Sequence, residues 1–194
     1  MSPAGRTRLI GVDGRSGAGK TTLADRLAAA LAEGGAPLPV GVFHLEELYP
    51  GWDGLDAGME QYRRSVLESL TAGRPARWTD WDWVHDRPGR THVIDPGGLL
   101  IAEGVGVGHA AARPLLDALV WVEVPAAERR ERALARDGDL YRPHWARWAA
   151  QEDSWLETDD VAAAADVVVT GDPGVHEIAR RLMARLHAVD PGPR

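Results

Sequence analysis

Apolar residues along this chain follow two patterns. Short unbroken runs, Thr7–Asp13, Val40–Leu45, Gly98–Gly104, Ala118–Val124 and Ala165–Gly171, lack polar alternation and read as strands buried on both faces. Between them apolar residues recur at helical spacing: in "KTTLADRLAAAL" from Lys20, from Asp56 to Ala72, in "PAAERRERALARDG" from Pro125, in "RPHWARWAAQEDSWLE" from Arg142 and in "GVHEIARRLMARLHAV" from Gly174. Gly and Pro in "GGAPLP" close the first helix, and Pro125 sits at a helix N-terminus. A short helix is expected after Gly104, whereas Ala76–Asp95 reads as irregular. Buried strands alternating with helices predict an α/β architecture: three layers, with a parallel five-stranded sheet and helices on both faces.

The 194 residues suit one domain, 1–194, with one sizeable core. Apolar residues make up 44% and charged residues 26%, as in ordinary soluble proteins, and no apolar run reaches membrane-spanning length. The N-terminus has no signal-peptide core, so a cytoplasmic location is expected. The absence of cysteine excludes disulfides and thiolate metal sites. A net charge of −7 argues against nucleic acid and anionic membrane as partners. A homo-oligomer is left open.

Charge also contains an anomaly: Lys20 is the only lysine among 22 basic residues, all the others being arginine. It stands in Gly14-Arg15-Ser16-Gly17-Ala18-Gly19-Lys20-Thr21, which fits G-x-x-x-x-G-K-[ST], between a predicted strand and a predicted helix. The glycines let the backbone fold tightly around phosphates, and the helix start that includes Thr22 faces the anion. Lys20 is a compact charge for the β- and γ-phosphates, and the Thr21 hydroxyl is placed for Mg²⁺. A planar arginine fork is too bulky for that hole. The cofactors expected are therefore ATP and Mg²⁺. No second lysine exists to build the Asn/Thr-Lys-x-Asp motif of guanine-specific GTPases.

Phosphoryl transfer to a hydroxyl needs a held metal and a carboxylate near the acceptor proton. Candidates lie at strand ends, where ligands bind in such sheets: Asp13, Glu103, and Glu46 or Glu47, of which strand alternation points only one into the site.

These parts, in this order from Leu9 to Thr170, resemble the uridine–cytidine kinase branch of the P-loop nucleoside and nucleotide kinases. "GVDGRSGAGKTTLA" resembles its phosphate loop, and "LLIAEG" its strand ending in Glu-Gly, which implies a metal role for Glu103. "HLEELYPGWD" resembles its Asp-x-Phe-Tyr segment, which implies catalytic and metal roles for Glu46 and substrate contacts at Tyr49 and Asp53. "WDWVHDR" resembles its nucleoside-pocket segment, which implies substrate contacts at Trp81, Asp82, Trp83 and His85. "RALARD" resembles the arginine-rich start of the lid, with Arg132 and Arg136 toward the phosphates. The chain departs from the family in having Glu rather than Asp at 46, Trp81 and Trp83 for Tyr and Phe, and no Gly-Arg turn in the lid, where Arg142 could supply the charge.

Eight tryptophans accompany a single phenylalanine. Trp121 reads as core, and Trp145, Trp148 and Trp155 as a packing stripe on one helix. Trp52, Trp78, Trp81 and Trp83 lie in loops, where a planar ligand could stack on them. Among the arginines from Arg129 to Arg142, most read as solvated helix charges paired with Glu128 and Glu131, with Arg136 and Arg142 the candidates for the transferred phosphoryl group. The expected lid is about 136–150 and the acceptor-binding region about 46–95. The function expected is an ATP-dependent small-molecule kinase with a nucleoside acceptor. Alternatives are a nucleoside monophosphate kinase, for which Arg63, Arg64, Arg87 and Arg90 are available, another small-molecule kinase, and a nucleotide-binding ATPase or switch protein.

Overall fold

A computed structural model describes residues 6–34, 39–172 and 174–189. The five apolar runs form the strands β1 (Arg8–Asp13), β2 (Val40–His44), β5 (Leu99–Glu103), β6 (Ala118–Glu123) and β7 (Val167–Thr170) of one parallel sheet, in the order β2-β5-β1-β6-β7. Their lack of polar alternation has a direct cause: every residue of β5 is buried, and β1 is buried from Leu9 onward. On one face α1 (Lys20–Glu33) and α7 (Val175–Val189) bury Leu23, Leu27, Ile178 and Leu182 against Ile10, Val12, Ile101 and Val120. The opposite face is covered by α2 (Leu55–Tyr62), α3 (Glu68–Thr71) and α5 (Trp145–Leu156), with Leu55, Tyr62, Leu67 and Trp148 in its core. α2 passes into α3 through a π-turn at Arg63–Leu67, so the expected helix over 56–72 is continuous but locally widened. The "GGAPLP" punctuation falls mainly on residues 35–38, outside the described residues.

Two expectations are corrected. Ala76–Asp95 is not irregular: β3 (Ala76–Asp82) and β4 (Arg87–Ile94) pair antiparallel as a separate hairpin, with a register shift between Thr79 and Trp81. β4 is mostly exposed and contains Pro88 and Gly89, so it carries almost no apolar alternation to read. The inward pair, Ala76 and Trp78, holds the hairpin to the core, with Trp78 edge-on to Phe43 at 5.1 Å. The segment after Gly104 is a set of turns ending in a 3-10 turn at Arg113–Leu115 rather than an α-helix. Gly106, at φ 89, lies outside the helical region, and the buried Asp13 carboxylate accepts its N–H (3.0 Å) and that of Gly108 (2.7 Å).

The helix α4 (Ala126–Tyr141) breaks at Gly138 (φ 54, ψ −129), and residues 142–144 turn the chain into α5. A four-residue helix, α6 (Val161–Ala164), capped by the Asp160 side chain, leads into β7. Among the described residues, no helix is long and apolar enough to cross a membrane.

Trp78 stacks on His92 at 5.4 Å and donates its indole N–H to Glu47 at 2.7 Å. Trp78→Ala is therefore expected to destabilise the fold by about 3–5 kcal/mol, the range for losing a large buried aromatic ring. Denaturant unfolding checks it, and an unchanged midpoint would mean the hairpin is not anchored through this ring.

Candidate active site

β1 is the central strand. From it the chain goes to β2 and β5 on one side and then crosses to β6 and β7 on the other, so the crevice where such sheets bind ligands opens beyond its carboxyl end. The glycine loop occupies that place. Gly17 (φ 79) lies so close to the backbone of Arg129 that a Cβ would meet its carbonyl oxygen at 2.0 Å, so no other residue fits. Behind the loop, Arg129 is itself buried and donates to the carbonyls of Val124 (3.0 Å) and Ser16 (3.1 Å). Spacing among the helix arginines suggested a solvated charge here. The contact that sets Arg129 apart is made across the fold, and nothing in the local pattern announces it.

Lys20 is 8% exposed, and its Nζ donates to the carbonyl of Arg15 at 3.1 Å. Burial lowers its pKa, and the carboxylates of Glu103, Glu152 and Asp13 work against that fall. Asp13 is fully buried at the end of β1. Besides Gly106 and Gly108 it accepts the N–H of Gly14 (2.6 Å), so it joins the glycine loop to the turn after β5. Burial raises its pKa to about 6, against the opposing pull of those three N–H groups and Lys20.

Glu103 ends β5 with its carboxylate buried. It accepts the Thr21 hydroxyl at 3.1 Å and lies 2.7 Å from Nδ1 of His44, the last residue of β2. That hydrogen bond is the main cause of a raised His44 pKa. Thr21 and Glu103 thus bring two hard oxygens together beside the loop, as a divalent cation of the oxygen-seeking type requires. Among the described residues no cluster of three His, Asp or Glu side chains could hold a cation alone, so other oxygens would come from nucleotide and water.

A 3-10 turn at Leu45–Leu48 separates the two glutamates that strand alternation left unresolved. Glu46 lines the cavity, whereas Glu47 is turned away to accept from Trp78. Water reaches Glu46 through the open cavity, yet protein crowds it enough that desolvation raises its pKa. Glu103 adds to the rise, and Arg136, His44 and Lys20 oppose it.

The cavity measures about 920 Å³. Ser16 to Thr22 and Arg26 form its glycine-loop end with Val169, Gly171 and Asp172, and Arg132 and Arg136 enter from α4. Glu46, Glu103 and the rings of Tyr49, Trp52, Trp83, Tyr141 and Trp148 wall the rest. Trp52 organises these rings: it stacks on Tyr141 (5.2 Å) and His144 (4.5 Å) and tilts against Trp83 (4.7 Å). Tyr49 donates its hydroxyl to the carbonyl of Val105 at 2.7 Å and packs edge-on to Trp148 at 4.8 Å.

Other sequence candidates do not line this cavity. Arg142 lies 3.6 Å from Asp139 beside Arg130 and Glu131, on a different surface. Asp53 is exposed and paired with Arg147 at 3.1 Å. Asp82 caps the hairpin turn by accepting the N–H groups of Val84 and His85, and its other oxygen meets Nδ1 of His85 at 2.7 Å. Trp81 belongs to the hairpin and is partly buried. Tyr141, which lines the cavity, and Glu152, which accepts the Ser16 N–H, are not among the sequence candidates. Trp148, read as packing, both packs and lines the cavity, and its i, i+4 spacing from Glu152 was the one available signal.

The geometry agrees with what the chain is similar to. No family model matches it. Over 138 residues it is 27% identical to a uridine kinase of Borrelia duttonii, covering 67% of each chain. Over 143 residues it is 28% identical to a uridine kinase of Staphylococcus epidermidis, covering 68% of this chain and 69% of the relative. The fold superposes with a TM-score of 0.63 on a structure described as a possible uridine kinase from Bacillus stearothermophilus, at 24% identity over 88% of this chain and 91% of that one. The chain is thus similar in sequence to curated uridine kinases and shares the three-layer α/β fold of the solved structure.

Proposed function

We propose that this protein is a kinase that moves the γ-phosphoryl group of ATP to a hydroxyl of a small uncharged acceptor, with a nucleoside the favoured one. The observation that carries the reading is a single cavity shared by Lys20, Thr21, Glu46, Glu103 and a wall of aromatic rings. The glycine loop and Lys20 hold the phosphates. Thr21 and Glu103 are the residues that would hold Mg²⁺, which when bound neutralises charge on the β- and γ-oxygens. Glu46 stands on the acceptor side, free of the Trp78 contact that engages Glu47, and takes the hydroxyl proton as the bond to phosphorus forms. Arg132 and Arg136 balance charge on the group in transit. The segment from Arg136 into α5 serves as the lid over 136–150, and the acceptor is received within 46–95 of a single domain.

The arginines available for an acceptor phosphate are engaged or outlying. Arg63 pairs with Glu60 and Glu68, Arg64 pairs with Glu60, and Arg87 and Arg90 stand exposed on β4; none lines the cavity. An uncharged acceptor therefore suits the site better than a nucleoside monophosphate. Rings with polar edges suit a base or another flat apolar group. The curated uridine kinases to which the chain is similar favour a nucleoside among such acceptors.

Three outcomes follow. ADP release from ATP should be promoted by uridine or cytidine and not by their 5′-monophosphates; the opposite order would replace this reading with a monophosphate kinase. Lys20→Arg should abolish turnover while circular dichroism and melting stay as in the parent, because a guanidinium cannot enter the space that places Nζ on the Arg15 carbonyl. Near-normal turnover would contradict that geometry.

The third concerns pH. Glu46 accepts a proton only when ionised, and its pKa lies above the ordinary 4.5. Activity should therefore fall as pH drops through that raised value, and Glu46→Gln should lower kcat by at least about 100-fold and remove the acid limb. A mutant that keeps the limb would place the titrating base elsewhere.

A further inference from the structure

Glu152 lies on α5, is 1% exposed, and points its carboxylate at the glycine loop. Oε1 accepts the backbone N–H of Ser16 at 2.9 Å and the indole N–H of Trp148 at 3.1 Å, and Oε2 accepts Nε of Arg15 at 3.0 Å. Arg15 also reaches the carbonyl of Ala149 (3.5 Å) and the carboxylate of Asp153. The first half of the loop is thereby fastened to two turns of a helix more than a hundred residues away in sequence. No step of the transfer needs a carboxylate here. An unmatched negative charge so close to the phosphate site would repel the nucleotide, and the guanidinium of Arg15 matches it.

We propose that Glu152 is a positioning residue that sets nucleotide affinity by holding Arg15 and Ser16 in place before ATP arrives. This rests on the reading of the glycine loop as the ATP site. The mechanism is preorganisation: a loop that is already ordered loses less freedom when the phosphates bind. Without the carboxylate, the Ser16 N–H and a half-buried Arg15 lose their common partner, and the loop has to find another arrangement. Trp148 extends the device, since its ring lines the cavity against Tyr49 while its N–H is fixed by Glu152.

The test is an equilibrium titration with a non-hydrolysable ATP analogue, applied to the parent, Glu152→Gln, Arg15→Ala and the double variant. An amide can still accept from Ser16 and Trp148 but confronts Arg15 with a second donor, so Glu152→Gln isolates the charged half of the contact. Glu152→Gln should weaken the analogue's Kd about tenfold, and Arg15→Ala by a similar factor. The double variant should be no weaker than the weaker single, since both break one contact. The KM for the acceptor should stay within about twofold, whereas general loosening of the fold would raise both constants and lower Tm steeply. Unchanged or tighter binding by Glu152→Gln, or additive losses in the double variant, would overturn the proposal. Failure of the parent to bind the analogue would overturn the reading of the loop itself, and the proposal with it.

Discussion

Lys20 carries its charge into a place where burial favours the neutral amine, and the groups that oppose this define the ligand end of the molecule. Asp13 from β1, Glu103 from β5 and Glu152 from α5 converge on it electrostatically, and the Arg15 carbonyl accepts a hydrogen bond from it. Each of those groups has a second duty. Asp13 joins the glycine loop to the turn after β5, Glu103 joins Thr21 to His44, and Glu152 joins the loop to α5. Those contacts tie three strand ends and one distant helix together around the buried ammonium.

Much of this was legible in the sequence because it rests on local rules. Unbroken apolar runs are what a strand covered on both faces requires, and five of them matched five parallel strands. The glycine loop was legible because its geometry excludes other residues, as Gly17 against Arg129 shows, and because lysine persists there in a chain otherwise given to arginine. What stayed hidden was non-local. The burial of Arg129, the grip of Glu152 on Arg15 and Ser16, and the choice between Glu46 and Glu47 depend on surfaces brought together from far apart. Glu47 illustrates this: its role follows from Trp78, and Trp78 is placed by a hairpin that the local pattern does not reveal.

The acceptor side departs furthest from the sequence reading. Asp82 and His85 satisfy each other at the hairpin turn, and Asp53 and Arg142 lie outside the cavity. In their place stands a cluster of interlocked rings around Trp52, drawn from the 50–54 loop, the hairpin, the end of α4 and α5. Such a wall recognises shape and apolar surface more than charge. In the function we propose, it leaves Glu46 as the carboxylate toward the acceptor, a division of labour that suits deprotonation of a neutral hydroxyl.

The central claim is that the phosphoryl group leaving ATP ends on an acceptor hydroxyl and not on water. Phosphorus NMR of the enzyme with ATP, Mg²⁺ and uridine follows that atom directly. The account predicts ADP growing in step with one new phosphomonoester resonance, with inorganic phosphate absent. ADP accompanied by inorganic phosphate alone, at a rate indifferent to any added nucleoside or other small alcohol, would contradict it and mark the protein as an ATPase.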